Sequence, residues 1–194
     1  MKISTKSLTL AATLTALCAV TGFIPFVFFL PVMVAATTLS LGMAAFVGLA
    51  FGGISVAYCF VQPMSPVSMA FVQAPYIALF PRMLAAMGAF GIYKLITHFA
   101  KPQKRAARFA CVSAAAAVGS LLNTALVVSL LVLIMPDMSF NGITVMLYVP
   151  EMLISGSIEC VCMAALTPPI TLTLDRVVLK RKKQPTQTTQ EAGK

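Results

Sequence analysis

Four polar side chains stand out because almost nothing around them is polar. Arg82 lies in the stretch Pro75-Tyr-Ile-Ala-Leu-Phe-Pro-Arg-Met-Leu-Ala-Ala-Met-Gly88, and it is the one basic residue outside three basic ends or loops. Asn123 follows Gly119-Ser-Leu-Leu, and Glu151 and Glu159 lie in the last apolar segment. A guanidinium with carboxylates and a carboxamide can recognise a small polar molecule. The planar fork of arginine donates two parallel hydrogen bonds to a carboxylate. Catalysis fits these residues poorly. The single histidine, His98, sits beside Lys101 at the end of an apolar segment, where a solvated interface position explains it. No Ser/His/Asp set, metal-ligand cluster or phosphate-binding glycine loop is present. Five cysteines all lie in apolar segments. Cys160 and Cys162 point to different faces of a helix, so they read as small packing residues and no metal or other cofactor is expected.

The elements that position these groups follow from composition. The chain has 194 residues, 59% of them hydrophobic and 10% charged, whereas a soluble domain carries about 25% charged residues. An all-α integral membrane protein is expected, with no second soluble domain. The net charge of +9 does not point to nucleic acid, because the basic residues flank apolar spans at Lys2 and Lys6, at Lys94 to Arg108, and at Arg176 to Lys194. That placement marks the cytoplasmic side of a membrane. The basic start and apolar run of residues 1–20 resemble a signal peptide. No convincing small-x-small cleavage site follows, so a retained helix is expected.

Six spans are read along the chain: 7–24, 32–47, 49–61, 76–97, 109–135 and 145–174. Gly48, Gly52 and Gly53 allow a tight reversal or close helix packing. The third span is short, since about 20 residues cross a bilayer core. Residues 62–75 are too proline-rich for a helix throughout and read as a loop, with the option of folding back into the protein. Pro150 suits the first turn of the last core helix, and Pro168-Pro169 should kink its end. The N-terminus, the 101–108 loop and the C-terminus are all basic, which places both termini and that loop in the cytoplasm. One six-helix membrane domain over 1–180 and a basic tail over 181–194, disordered at its tip, complete the organisation.

Helical rise then gives depth. Arg82 falls roughly 9 Å, Asn123 roughly 10 Å and Glu159 roughly 12 Å below the outer surface. Glu151, Ser155 and Glu159 share one stripe at four-residue spacing. Two readings stay open and can coexist. In one, Arg82 and Glu159 form a buried ion pair with Asn123 as interhelical glue. In the other, these groups line a pocket open to the outside. On the first helix, Ala12-x-x-x-Ala16 either packs internally or lets a partner helix approach closely.

Six short helices, Ala12-x-x-x-Ala16, Pro81-Arg82 before Gly88, Gly119-Ser-Leu-Leu-Asn123-Thr124, and Glu159 before Pro168-Pro169-Ile170 form a pattern over nearly the whole chain. It resembles the substrate-binding S-component of energy-coupling factor (ECF) vitamin transporters. The resemblance implies a prokaryotic plasma-membrane subunit that binds a water-soluble vitamin near the outer surface. It implies docking through Ala12 and Ala16 on a membrane coupling subunit, which two cytoplasmic ATPase subunits drive; this chain itself is not an enzyme. Arg82, Asn123 and Glu159 become pocket residues, with Glu151 beside them and the outer loops, including Gln73, as a lid. The Pro-Arg and Asn-Thr pieces are similar to the pantothenate and folate branch. Pantothenate suits one buried arginine, and flat rings have Tyr76, Phe71 or Tyr148 to stack on. A self-sufficient small transporter or channel is the competing expectation, although no internal repeat supports one.

Overall fold

The computed structural model describes residues 5–22, 24, 26–61, 65–100, 102, 104–140 and 142–177. Seven helices run through them: α1 (Thr5–Thr21), α2 (Leu30–Thr38), α3 (Leu41–Val61), α4 (Pro66–Gln73), α5 (Tyr76–Ala100), α6 (Arg105–Ile134) and α7 (Val145–Val177). A hairpin of two-residue strands, β1 (Ser139–Phe140) and β2 (Ile143–Thr144), links α6 to α7, with Ser139 opposite Thr144 and Phe140 opposite Ile143. Four helices, α3, α5, α6 and α7, are long and apolar enough to cross a membrane, and α1 is a shorter apolar helix. Large apolar side chains such as Leu133, Leu147 and Val161 point outward from them, which suits contact with lipid tails. The protein is therefore an all-α, multi-pass membrane protein.

Helix breaks depart from expectation in the first half. The second and third segments do not divide at the glycines. α3 runs unbroken through Gly48, Gly52 and Gly53, and the break falls at residues 39–40 instead. Thr37 and Thr38 stand immediately before it. The Thr37 hydroxyl donates to the Met33 and Val34 carbonyls and the Thr38 hydroxyl to that of Val34. Such back-bonding by adjacent β-branched residues weakens a helix. Leu39 then turns extended. The resulting α2 has only nine residues, of which Leu30 to Thr37 are all buried. It sits in the bundle interior, in contact with α1, α3, α5, α6 and α7.

The glycines serve close packing rather than reversal. A Cβ on Gly48 would lie 2.7 Å from the Arg82 carbonyl oxygen, and one on Gly52 would lie 2.8 Å from Leu79 Cα. Two glycines four apart thus let α3 lie directly on the backbone of α5.

The 62–75 connection, expected as a loop, contains α4. Ser65 caps it by accepting from the Ser68 amide at 3.1 Å, and Pro66 occupies the first turn, where its missing N–H costs nothing. The expected fold-back does occur, with Pro66, Ala70 and Phe71 buried. α7 starts at Val145, where the sixth span was expected to begin, so Pro150 lies inside it rather than at its first turn, and the helix continues through Pro168-Pro169 to Val177.

The glycine contacts make a paired test. Gly48→Leu should lower the midpoint of thermal unfolding in detergent by the equivalent of about 1–3 kcal/mol, the usual cost of overpacking. Gly53, which faces open space, should accept alanine with a gain of up to about 1 kcal/mol from helix propensity. Equal effects at both positions would contradict the close α3–α5 contact.

Candidate functional site

Pro81 and Arg82 sit inside α5, about six residues from its start at Tyr76. Arg82 is only 6% exposed. Its Nη1 donates to the Ala78 carbonyl one turn back at 2.8 Å. Its guanidinium carbon lies 5.3 Å from the Phe51 ring centroid and 5.0 Å from that of Phe71. Two aromatic faces from α3 and α4 therefore hold the charge by cation–π attraction. No ion pair forms between Arg82 and Glu159, although each lies within the electrostatic reach of the other. Of the two readings of these residues, the closed ion pair is not the arrangement seen. The Arg82 Nε has no hydrogen-bond partner.

The facing wall comes from α6 and α7. Asn123 and Glu159 are each 6% exposed, and Asn123 Oδ1 and Glu159 Oε1 are unpartnered. Ser120, completely buried, stands next to the Glu159 side chain. The two helices meet closely here because Gly156 faces Thr124; a Cβ there would come within 2.6 Å of the threonine side chain.

Between the walls lies a cavity of about 590 Å³. Arg82 from α5, Asn123 and Thr124 from α6, and Glu159, Ser155 and Glu151 from α7 line it, and Phe71 and Ser68 of α4 contribute on the side of Arg82. Gly22 and Phe28 from the α1–α2 turn and Tyr148 complete the wall. Glu151 and Ser155 are exposed and mark the mouth. The cavity lies in the half of the bundle away from the basic α5–α6 connection. Its size falls within the ~300–1,000 Å³ of small-molecule sites. A donor side formed by Arg82 faces an acceptor side formed by Glu159 and Asn123, and both are largely withdrawn from water. Binding of a ligand there is favoured wherever its polar groups complete those hydrogen bonds, because buried unmet polar groups cost about 1–3 kcal/mol each.

Four expected pocket residues, Arg82, Asn123, Glu159 and Glu151, line this one cavity, as do Phe71 and Tyr148. Gln73 and Tyr76 do not. Gln73 faces a separate hollow of about 370 Å³ beside residues 134–139, and Tyr76 is 45% exposed outside the cavity lining. The cause is α4: its helical turn carries Phe71 inward and leaves Gln73 and the following Tyr76 on the outer side. Ala12 and Ala16 share an exposed face of α1 with Leu8, Leu17 and Val20, while Leu10, Ala11, Leu14 and Cys18 face the bundle. Sequence reasoning missed Phe51 and Ser120. Phe51 is one of many apolar residues on α3, with no periodic signal to single it out. Ser120 stands three residues before Asn123 and was recoverable from helical spacing. It also missed the ion pair between Arg108 of α6 and Asp175 of α7, two opposite charges at matching ends of neighbouring helices.

No known protein family matches this chain, and no curated protein is recognisably similar to it.

The aromatic clamp is open to a double-mutant cycle. Phe71→Leu should cost about 1 kcal/mol more with Arg82 present than in an Arg82→Met background, in line with a partly desolvated cation–π pair. Thermal unfolding of the four proteins reads that difference; purely additive effects would show that Phe71 does not hold the charge.

Proposed function

We propose that this chain is the substrate-binding S-component of an ECF-type vitamin transporter. The observation that carries the reading is the cavity, in which a buried guanidinium without a carboxylate partner faces unmet acceptors inside a lipid-embedded bundle. Arginine in such a place is a functional group by default. A water-soluble vitamin with a carboxylate fits Arg82, and pantothenate, which adds hydroxyls for Glu159 and Asn123, is favoured over folate. Glu151 at the mouth then meets the ligand on entry.

The membrane placement belongs to the same proposal. The host is a prokaryotic plasma membrane, and the protein makes six passes with both termini in the cytoplasm. Nine residues of helix rise only about 14 Å, so α2 does not cross a bilayer by itself. Its burial supports a second pass all the same, because irregular backbone at membrane depth is tolerated where protein encloses it. Residues 26–29 and Leu39 extend that second pass. The cavity then faces outward, and the basic connection faces the cytoplasm.

Transport against a gradient needs an energy source, which the proposal assigns to partners: a membrane coupling subunit and two cytoplasmic ATPase subunits. The exposed Ala12 and Ala16 face is the docking surface, since small residues let helices approach closely.

Ligand-induced thermal stabilisation across a panel of water-soluble vitamins tests the capture role. A binder at a hundredfold excess over its Kd adds about 2.7 kcal/mol. Pantothenate should stabilise the protein and Arg82→Ala should abolish the effect; no stabilisation by any vitamin, in protein shown to be folded, would overturn the reading. Docking has its own test. Ala12→Leu/Ala16→Leu should abolish uptake by cells while leaving vitamin binding by the purified protein intact, and unchanged uptake would remove that surface from the proposal.

A further inference from the structure

Lys94 leans away from the nearer end of its helix. A lysine near a membrane surface ordinarily snorkels toward water. Lys94 lies six residues before the end of α5 at Ala100, roughly 9 Å along the axis, and its ammonium turns back over the Phe90 ring, 5.5 Å from the centroid. Phe99, 77% exposed, and Leu95 stand between it and the helix end. The charge is therefore held level with lipid rather than in bulk water. Toward the middle of the helix, the same stripe carries Gly91, Leu84 and Phe80 at helical spacing. A Cβ on Gly91 would meet nothing within 4 Å, and Leu84 and Phe80 are exposed. An open apolar track thus leads from the ammonium into the bilayer.

Other cations gather near the same level. Tyr93, beside Lys94, stands next to Arg108 of α6, and Arg108 pairs with Asp175 of α7. These contacts bring the basic ends of three helices together. Lys104 and Arg105 come one turn before Arg108, and the step from Arg105 to Arg108 is about 4.5 Å of helix rise. Arg176 follows Asp175. Lys94, Lys104, Arg105 and Arg176 are all exposed. Among the described residues, Asp175 is the only carboxylate at this end, and Arg108 already holds it. Like charges this close repel one another, and an anion among them removes that cost. The first-turn N–H groups of α6 favour an anion too, since Lys104 at its N-cap makes no side-chain cap.

We propose that this end of the bundle is a binding site for an anionic phospholipid, with the phosphate between Lys94, Lys104 and Arg105 and an acyl chain laid along Gly91 and Leu84. A soluble phosphate would satisfy the charges but would leave the apolar track empty, and that track assigns the site to a lipid. The site lies at the opposite end of the bundle from the cavity. A lipid held there ties the basic end to its own leaflet and does not compete with a solute. The proposal rests on the membrane character of the chain and not on the identity of any solute.

Native mass spectrometry of the full-length protein, titrated in detergent with phosphatidylglycerol or phosphatidylcholine, tests it. Phosphatidylglycerol should bind about tenfold more tightly or better. Lys94→Gln should weaken that binding about fivefold, the usual effect of one basic residue at an anionic membrane surface, and Lys104→Gln/Arg105→Gln about twenty-fivefold. Gly91→Phe fills the open track without changing a charge and should weaken it about threefold or more by displacing the acyl chain. Lys6→Gln removes one charge from α1, outside this cluster, and should leave binding nearly unchanged. Equal binding of the two lipids, or equal losses from Lys6→Gln and Lys94→Gln, would overturn the proposal. So would displacement of the lipid by an equal concentration of glycerol 3-phosphate, or full binding by Gly91→Phe, since either reduces the site to a patch for any phosphate. The readout involves no vitamin, so failure here leaves the capture role standing, and failure of the vitamin panel leaves this test informative.

Discussion

A guanidinium buried in a membrane bundle without a carboxylate against it is the constraint on which the rest of this structure depends. An isolated charge at membrane depth is expensive. Here the cost is offset by two aromatic faces and one backbone carbonyl, and each needs its own element in place. Phe51 requires α3 to lie against α5, which the small residues Gly48 and Gly52 permit. Phe71 requires the proline-rich 62–75 connection to fold back as α4, which Ser65 and Pro66 start. The Ala78 carbonyl lies one turn below Arg82 on the same helix.

The opposite wall obeys a different rule. α6 and α7 are joined by short polar contacts along their length: Ser113 donates to the Ala164 carbonyl at 2.8 Å, and Arg108 pairs with Asp175 at the basic end. Such contacts fix helix register in lipid, where apolar burial gives little drive for helices to associate. With the register set, Asn123 and Glu159 face the space that Arg82 faces. Asn123 Oδ1 and Glu159 Oε1 stay without a hydrogen-bond partner, although the Ser120 hydroxyl stands beside the Glu159 carboxylate. The site is therefore held open by its scaffold: the cation is held from one side by Phe51, Phe71 and the Ala78 carbonyl, and Arg82 Nε, Asn123 Oδ1 and Glu159 Oε1 remain unmet.

The short interior helix makes this geometry compatible with a chain of this length. α2 fills the space between α1, α3, α5 and α7 with buried apolar side chains, and its last turn carries Thr37 against Thr171. Val32, Met33 and Val34 of α2 are among the most deeply buried side chains of the bundle.

Membrane character, all-helical class and the identity of the polar groups were determined by the sequence itself. Long apolar runs, charges confined to their flanks, and a lone arginine, asparagine and glutamate pair are properties of composition and spacing, which need no contact information. The last three long helices were legible for the same reason. The break between α2 and α3 was not, because glycine signals a turn or a close contact equally well and only the neighbouring α5 backbone decides between them. α4 was hidden behind its prolines, one of which starts it. Depth by residue count brought Arg82, Asn123 and Glu159 to one level, but it could not say whether the arginine and the glutamate touch. Tertiary structure decided that, through Phe51 and Phe71, because a cation held by aromatic faces does not need the carboxylate that sequence alone would pair with it.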